Sequence, residues 1–169
     1  MKKIAFIILP LAMLALSCAA PLLPPSPSQH LRILSIKEAQ ATILNETNGI
    51  KRKPFEDQYR KFVEKIPEGV ILTTMFGDML EANPAYLDGV GYPLEELRNL
   101  STQKITPVKW HEKEKQMITE AMEKEYVTFE KEFGNKNGAV WAVGVTGWII
   151  KDKKGNPIGI GSMVKPAGG

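Results

Sequence analysis

One cysteine, Cys18, stands in 169 residues. With no second thiol, an internal disulfide is excluded, and so is a cysteine-built structural zinc site. Histidine is almost as scarce, with only His30 and His111. No nucleophile sits beside a base in a catalytic constellation. Glu95 and Glu96 are adjacent and so point in different directions, which is not how a facing acid–base pair is built. His111-Glu112 begins like a zinc-protease helix, but Lys115 stands where the second histidine is needed. The expectation is a protein that is not an enzyme, with no metal site. A large excess of charge of one sign is missing too. The formal net charge is +3; of the 22 basic residues two are Lys2 and Lys3, and setting them aside leaves 20 against 19 acidic ones. That balance holds no basic field for nucleic acid, and Lys51-Arg52-Lys53 reads as a solvated helix approach. No apolar run spans a bilayer: Ile4 to Leu16, interrupted by Pro10, is about thirteen residues where about twenty are needed. Internal repeats are absent.

What is present starts with a normal globular balance, 43% hydrophobic and 24% charged, enough for one domain and a tail. Lys2 and Lys3 form a basic start, Ile4 to Leu16 an apolar run, and Ala15-Leu16-Ser17-Cys18 follows. This order resembles a bacterial lipoprotein signal, in which small residues precede the cysteine that takes the lipid. Its departure is Ala15, where leucine is usual; cleavage after Ala20 is the rival reading, and it places Pro21 directly after the cut. The resemblance implies a signal peptide over 1–17, lipidation at Cys18 and export to a membrane surface, periplasmic or extracellular, with more than one acyl chain giving stable anchoring. Pro21, Pro24, Pro25 and Pro27, with Ser26 and Ser28, read as a semi-extended spacer over 18–30 that lifts the domain off the membrane.

Residues 31–61 read as a helical flanking segment. Leu31, Leu34, Ala41 and Leu44 mix with Ile33, Ile36 and Ile43, so no single face is clean, and Asn48-Gly49 ends the first helix. Pro54 opens a second helix from its first turn. Phe55, Tyr59, Phe62, Val63 and Ile66 follow at i, i+4, i+7, i+8 and i+11, an apolar stripe that either packs on the sheet or meets a partner. Gly69 to Thr74 and Met79 to Ala82 read as paired strands about a turn at Phe76-Gly77-Asp78. Asn83-Pro84 starts a short helix, and Pro93 to Leu97 another. Trp110 to Glu125 is the one longer helix of this part, with Trp110, Met117, Ile118, Ala121 and Met122 on one face and Glu and Lys on the other. Three long strands close the chain. Val127, Phe129, Lys131 and Phe133 share a side of the first; Trp141, Val143, Val145 and Gly147 alternate with Val140, Ala142, Gly144 and Thr146 in the second; the last starts at Pro157. The fold class expected is α+β: a five-stranded antiparallel sheet with short helices and one longer helix on one face. The other face then needs a cover, for which Pro54 to Ile66 is the candidate.

From about Phe62 to Val164 the order of motifs resembles the PAS domain. The marks are Gly69-Val70, Asn83, Gly91-Tyr92-Pro93 with Glu95-Glu96-Leu97, then Phe129-Glu130-Lys131-Glu132-Phe133 with Lys136-Asn137-Gly138 and Trp141, and finally Gly155-Asn156-Pro157 with Gly159 to Gly161. The resemblance places a PAS domain over 62–165 and a tail over 166–169. The aspartate-isoleucine-threonine that usually follows the last strand is missing, and the expectation is a module without its own effector domain. The asparagine-cysteine motif of flavin photosensors is absent from Asn99-Leu100-Ser101-Thr102.

The resemblance implies a sensory or ligand-binding module of bacterial signal transduction, with its pocket between the long helix and the sheet. The lining expected is Met117, Ile118, Met122, Phe129, Trp141 and Val143, the alternative being that these residues simply fill the core. Glu130 and Lys131 are candidate polar contacts. His111, the one histidine inside the domain, is a candidate haem ligand, set against a surface residue of a first helical turn. The cofactor is left unknown, and the partner is a small ligand or a signalling protein. Two further readings stand beside this one: a docking or dimerising module, whose homodimer or partner interface uses the sheet face and the Phe55-to-Ile66 stripe, and a truncated input domain of a sensor histidine kinase.

Overall fold

A computed structural model describes residues 24–46 and 49–168; the signal-like segment, with Cys18, lies outside the described residues. The first described helix, α1, runs Pro27–Asn45. Its start is written in the sequence: the Ser26 hydroxyl accepts from the Gln29 backbone N–H, the Gln29 side chain accepts from the Ser26 N–H, and Pro27 takes the first helical position. The spacer expected through residue 30 therefore gives way to helix at Pro27, because Ser26 and Pro27 act as helix-starting residues. The buried face of α1 is Ile33, Ile36, Gln40 and Ile43, spaced i, i+3, i+7 and i+10 as one helical stripe. Leu31 is exposed. The stripe is obscured in the sequence because a glutamine sits inside it and a leucine outside it.

Helix α2 spans Gly49–Val63. It begins upstream of Pro54, which lies inside the helix rather than in its first turn. The expected apolar stripe splits. Tyr59, Val63 and Ile66 are buried, while Phe55 and Phe62 remain 40% and 42% exposed.

Five strands follow: β1 (Gly69–Thr73), β2 (Met79–Ala82), β3 (Val127–Gly134), β4 (Val140–Lys151) and β5 (Pro157–Pro166). They form one antiparallel sheet in the order β2-β1-β5-β4-β3. Between β2 and β3 lie α3 (Pro84–Val90), α4 (Leu94–Leu97), a 3-10 turn (Val108–Trp110) and α5 (His111–Glu123). The α+β expectation holds: five antiparallel strands with the short helices and α5 on one face.

Period-two alternation sends side chains to both faces of the sheet, and both are apolar. The outer face gives Val70, Leu72, Trp148, Ile150 and Met163 to a core with α1, Tyr59, Val63 and Ile66. Thus α1 and α2 together form the cover expected of Pro54 to Ile66 alone, and the larger part of the sheet face offered as an interface is occupied by the chain's own first helix. A buried polar network fixes that cover. Gln40 donates to the Tyr59 hydroxyl at 2.8 Å and to the Ile71 carbonyl at 3.1 Å, and accepts from the Trp148 indole N–H at 3.1 Å. Every member has a partner, so its burial is offset. Gly161 makes room for it: a Cβ there would lie 2.1 Å from Gln40 Oε1 and 2.2 Å from Trp148 Nε1. Toward β3 the outer face stays open, as a groove bounded by Thr128, Glu130, Thr146 and the Pro24–Ser26 segment.

Asn83 ties the two halves together. Its side-chain oxygen accepts from Val70 N at 2.7 Å and from Tyr86 N at 3.2 Å, capping α3. Its amide donates to the carbonyls of Val63, Ile66 and Glu68. Two ion-pair sets add to the join: Arg32 with Glu68, and Glu81 between Arg60 and Arg98. No described helix is long and apolar enough to cross a membrane.

Candidate functional site

On the inner face, α5 presents Glu114, Met117, Ile118 and Ala121 to the sheet. Their spacing of i, i+3, i+4 and i+7 makes them a single helical face. Across from them stand Val127, Phe129, Lys131 and Phe133 of β3, Val145, Gly147 and Ile149 of β4, Ile160 and Ser162 of β5, and Ile71 and Thr73 of β1. Together with Met75, Phe76, Gly77, Thr102, Gln103 and His111 they line a half-open cavity of about 430 Å³, a size proper to small-molecule pockets. The cause lies in the central strands. Gly147 and Ser162 are register partners on β4 and β5, so the floor carries almost no side-chain volume where α5 passes over it.

The polar end is built on Lys131, only 4% exposed. Its ammonium is in ion-pair contact with Glu114, donates to Thr106 Oγ1 at 3.1 Å and lies 3.9 Å from the centre of the Phe133 ring. Thr106 in turn donates its hydroxyl proton to the Thr102 carbonyl at 2.8 Å. Burial pushes the Lys131 ammonium below the usual lysine range, and the Glu114 charge and hydrogen bond pull it back. A buried lysine is tolerable here because its charge is matched and its protons are directed to acceptors.

His111 borders the same cavity. Its Nε2 lies 2.9 Å from the Thr106 carbonyl and 3.2 Å from that of Gln103. Both neighbours are acceptors, so Nε2 carries the proton and pins the start of α5 to the preceding loop. That nitrogen is not offered to a haem iron. Among the described residues no group of three or more His, Cys, Asp or Glu is gathered for a metal ion.

Three of the six expected lining residues, Met117, Ile118 and Phe129, border the cavity. Met122 packs in the same apolar cluster, outside the lining. Trp141 and Val143 belong to a neighbouring cluster with Tyr86 and Phe133. The Trp141 ring lies over Gly89, where a Cβ would come within 2.4 Å of it, and its centre is 6.0 Å from that of Tyr86 and 6.1 Å from that of Phe133. These two side chains point to the inner face as alternation required, but α3 covers that end of the strands. Of the polar candidates, Lys131 borders the cavity and Glu130 stands exposed on the opposite face. Tyr86 meets Phe133 edge-on at 5.5 Å. Its hydroxyl is buried with no hydrogen-bond partner among the described residues, and burial, with the Glu114 charge, holds its pKa above the ordinary tyrosine range.

Sequence reasoning missed Glu114, Thr106 and the small pair Gly147 and Ser162. Glu114 was assigned to the solvent face of its helix with the other acids. The available signal was its position: three residues before Met117 and seven before Ala121, it falls on the apolar stripe.

No protein-family model matches the chain, and no curated protein matches its sequence. Solved structures do match. A PAS domain of a two-component sensor histidine kinase aligns at 16% identity over 68% of this chain and 98% of its own, with a TM-score of 0.55. The PAS domain of a protein from Colwellia psychrerythraea aligns at 15% identity over 66% of this chain and 95% of its own, with a TM-score of 0.59. A light-oxygen-voltage domain studied with a flavin analogue aligns at 16% identity over 63% and 82%, with a TM-score of 0.54. At these identities the likeness is one of fold, and the fold of this chain is that of the PAS domains.

Proposed function

We propose that the chain is a membrane-anchored sensory module that takes a small molecule into the cavity beneath α5 and signals occupancy to a separate protein. The observation that carries this reading is the cavity itself, with a buried, charge-matched lysine at one end of an otherwise largely apolar lining. A domain that only docked would gain more stability from a filled core, since an unfilled wall loses dispersion contacts. The light-oxygen-voltage domain of like fold was studied with a flavin analogue, in keeping with a ligand role for this fold. Binding, not catalysis, suits the residues here: Lys131 and Glu114 hold each other, and His111 Nε2 is engaged by carbonyls.

The anchor in this reading is the lipid on Cys18, at the end of the signal-like segment, on an exported face of a bacterial membrane. Helix α1 begins at Pro27, so the tether is short and the domain sits close to the bilayer. The docking reading is less favoured, because Tyr59, Val63 and Ile66 of its stripe are consumed by the chain's own core.

The test is a native mass spectrum of the full chain purified from a bacterial host, beside its Gly147→Val variant. A retained small mass in the first and none in the second supports the reading, because valine fills the cavity floor. A retained mass unchanged by Gly147→Val overturns the assignment of the site. In the same preparations Cys18→Ala is expected to remove the acyl mass and release the protein from the membrane fraction; unchanged membrane association overturns the anchor.

A further inference from the structure

The ionised groups facing the cavity are Lys131 and Glu114, paired with each other, and Lys115, which is exposed and paired with Glu112 outside. The buried end therefore carries both signs and no excess of either. Lys131 directs one proton to Glu114 Oε1 and one to Thr106 Oγ1. The third is left to the face of the Phe133 ring, a weaker partner than an oxygen. Glu114 keeps its second oxygen as an acceptor.

Resting on the reading of the cavity as a ligand site, we infer that it takes an uncharged molecule: an apolar body against Met117, Ile118, Phe129 and Ile149, and a head group such as an amide or alcohol that accepts from Lys131 and donates to Glu114. A carboxylate at Lys131 would lie against the Glu114 carboxylate, and two like charges in a site of low dielectric repel strongly. An ammonium at Glu114 meets Lys131 in the same way. Specificity here comes from the charge each ion would face as much as from the contacts the neutral head makes.

The test is a methyl-resolved NMR titration of the full chain, labelled at Met and Ile, with hexanamide, hexanoate and hexylammonium at pH 7. Hexanamide is expected to shift the Met117 and Ile118 methyls and to bind at least tenfold more tightly than either ion. Glu114→Gln leaves the Lys131 charge uncompensated, and the order is expected to turn at least tenfold toward hexanoate. Lys131→Met is expected to turn it toward hexylammonium. Hexanoate or hexylammonium binding the unaltered chain at these methyls more tightly than hexanamide overturns the uncharged class and leaves the cavity as the ligand site. No shift at these methyls with any of the three overturns the cavity reading itself. If Lys131→Met does not fold, the conservative Glu114→Gln decides alone: an unchanged order of preference overturns the inference.

Discussion

The two faces of the sheet are built from the same strands and solve opposite problems. On the outer face α1 and α2 close over Val70, Leu72, Trp148 and Ile150, with Gln40 filling the last polar valence between helix and sheet. On the inner face α5 stands over Gly147 and Ser162 and leaves a cavity with a part-buried ion pair. The adjacent residues Ile149 and Ile150 are almost equally buried, yet one borders the cavity and the other a filled core. The comparison teaches that low exposure does not by itself report packing. A side chain can be hidden from water and still lack neighbours on one side.

The sharpest way to break the outer face is Gly161→Ala. The added Cβ would meet Gln40 Oε1 and Trp148 Nε1, expelling one of them and leaving buried polar atoms unpaired. The expected loss is large for a single methyl, about 3–5 kcal/mol, as strain and lost hydrogen bonds combine. Urea unfolding measures it, and a loss below 1 kcal/mol would mean that the network is not held as described. Next is the matched pair Ile150→Ala and Ile149→Ala. Removing Ile150 opens a new cavity and is expected to cost about 3–5 kcal/mol, while removing Ile149 enlarges an existing one and is expected to fall near 2 kcal/mol. Equal losses would show that the two faces are packed alike. The smallest effect is expected at Tyr86, whose hydroxyl is buried without a partner. Tyr86→Phe is expected to leave stability unchanged or raise it by about 1 kcal/mol, because an unsatisfied buried hydroxyl is removed. A clear loss would reveal a partner for that hydroxyl.

Much of the scaffold was legible in the sequence because it rests on short-range signals. Asn83-Pro84 caps and opens α3 as read, since cap chemistry involves neighbours in the chain. The alternation of β3 and β4 put Val127, Phe129, Lys131 and Phe133 on one face, and their register with β4 is the one a hairpin through Asn135 to Gly138 imposes. The site was legible only in part. Met117, Ile118 and Phe129 were readable as inward residues of elements that the resemblance to PAS domains set face to face. Which end of the strands stays open was not, because that depends on where α3 lies over Gly89 and Trp141 and where α5 lies over Gly147.

By itself, the sequence determined the strands, the Asn83 cap, which side chains of the strands share a face, and the near balance of charge with a single thiol at Cys18. Periodicity, capping and composition are local properties, carried within a few residues. Tertiary structure alone decided that Gln40 is a buried bridge rather than a surface amide. It likewise decided that Glu114 turns inward to meet Lys131, and that α1 and α2 cover most of the outer face while the inner face keeps its cavity. Each of these depends on pairs far apart in the chain, such as Gln40 with Trp148 and Glu114 with Lys131. A buried polar group costs the fold least when such a partner is delivered to it.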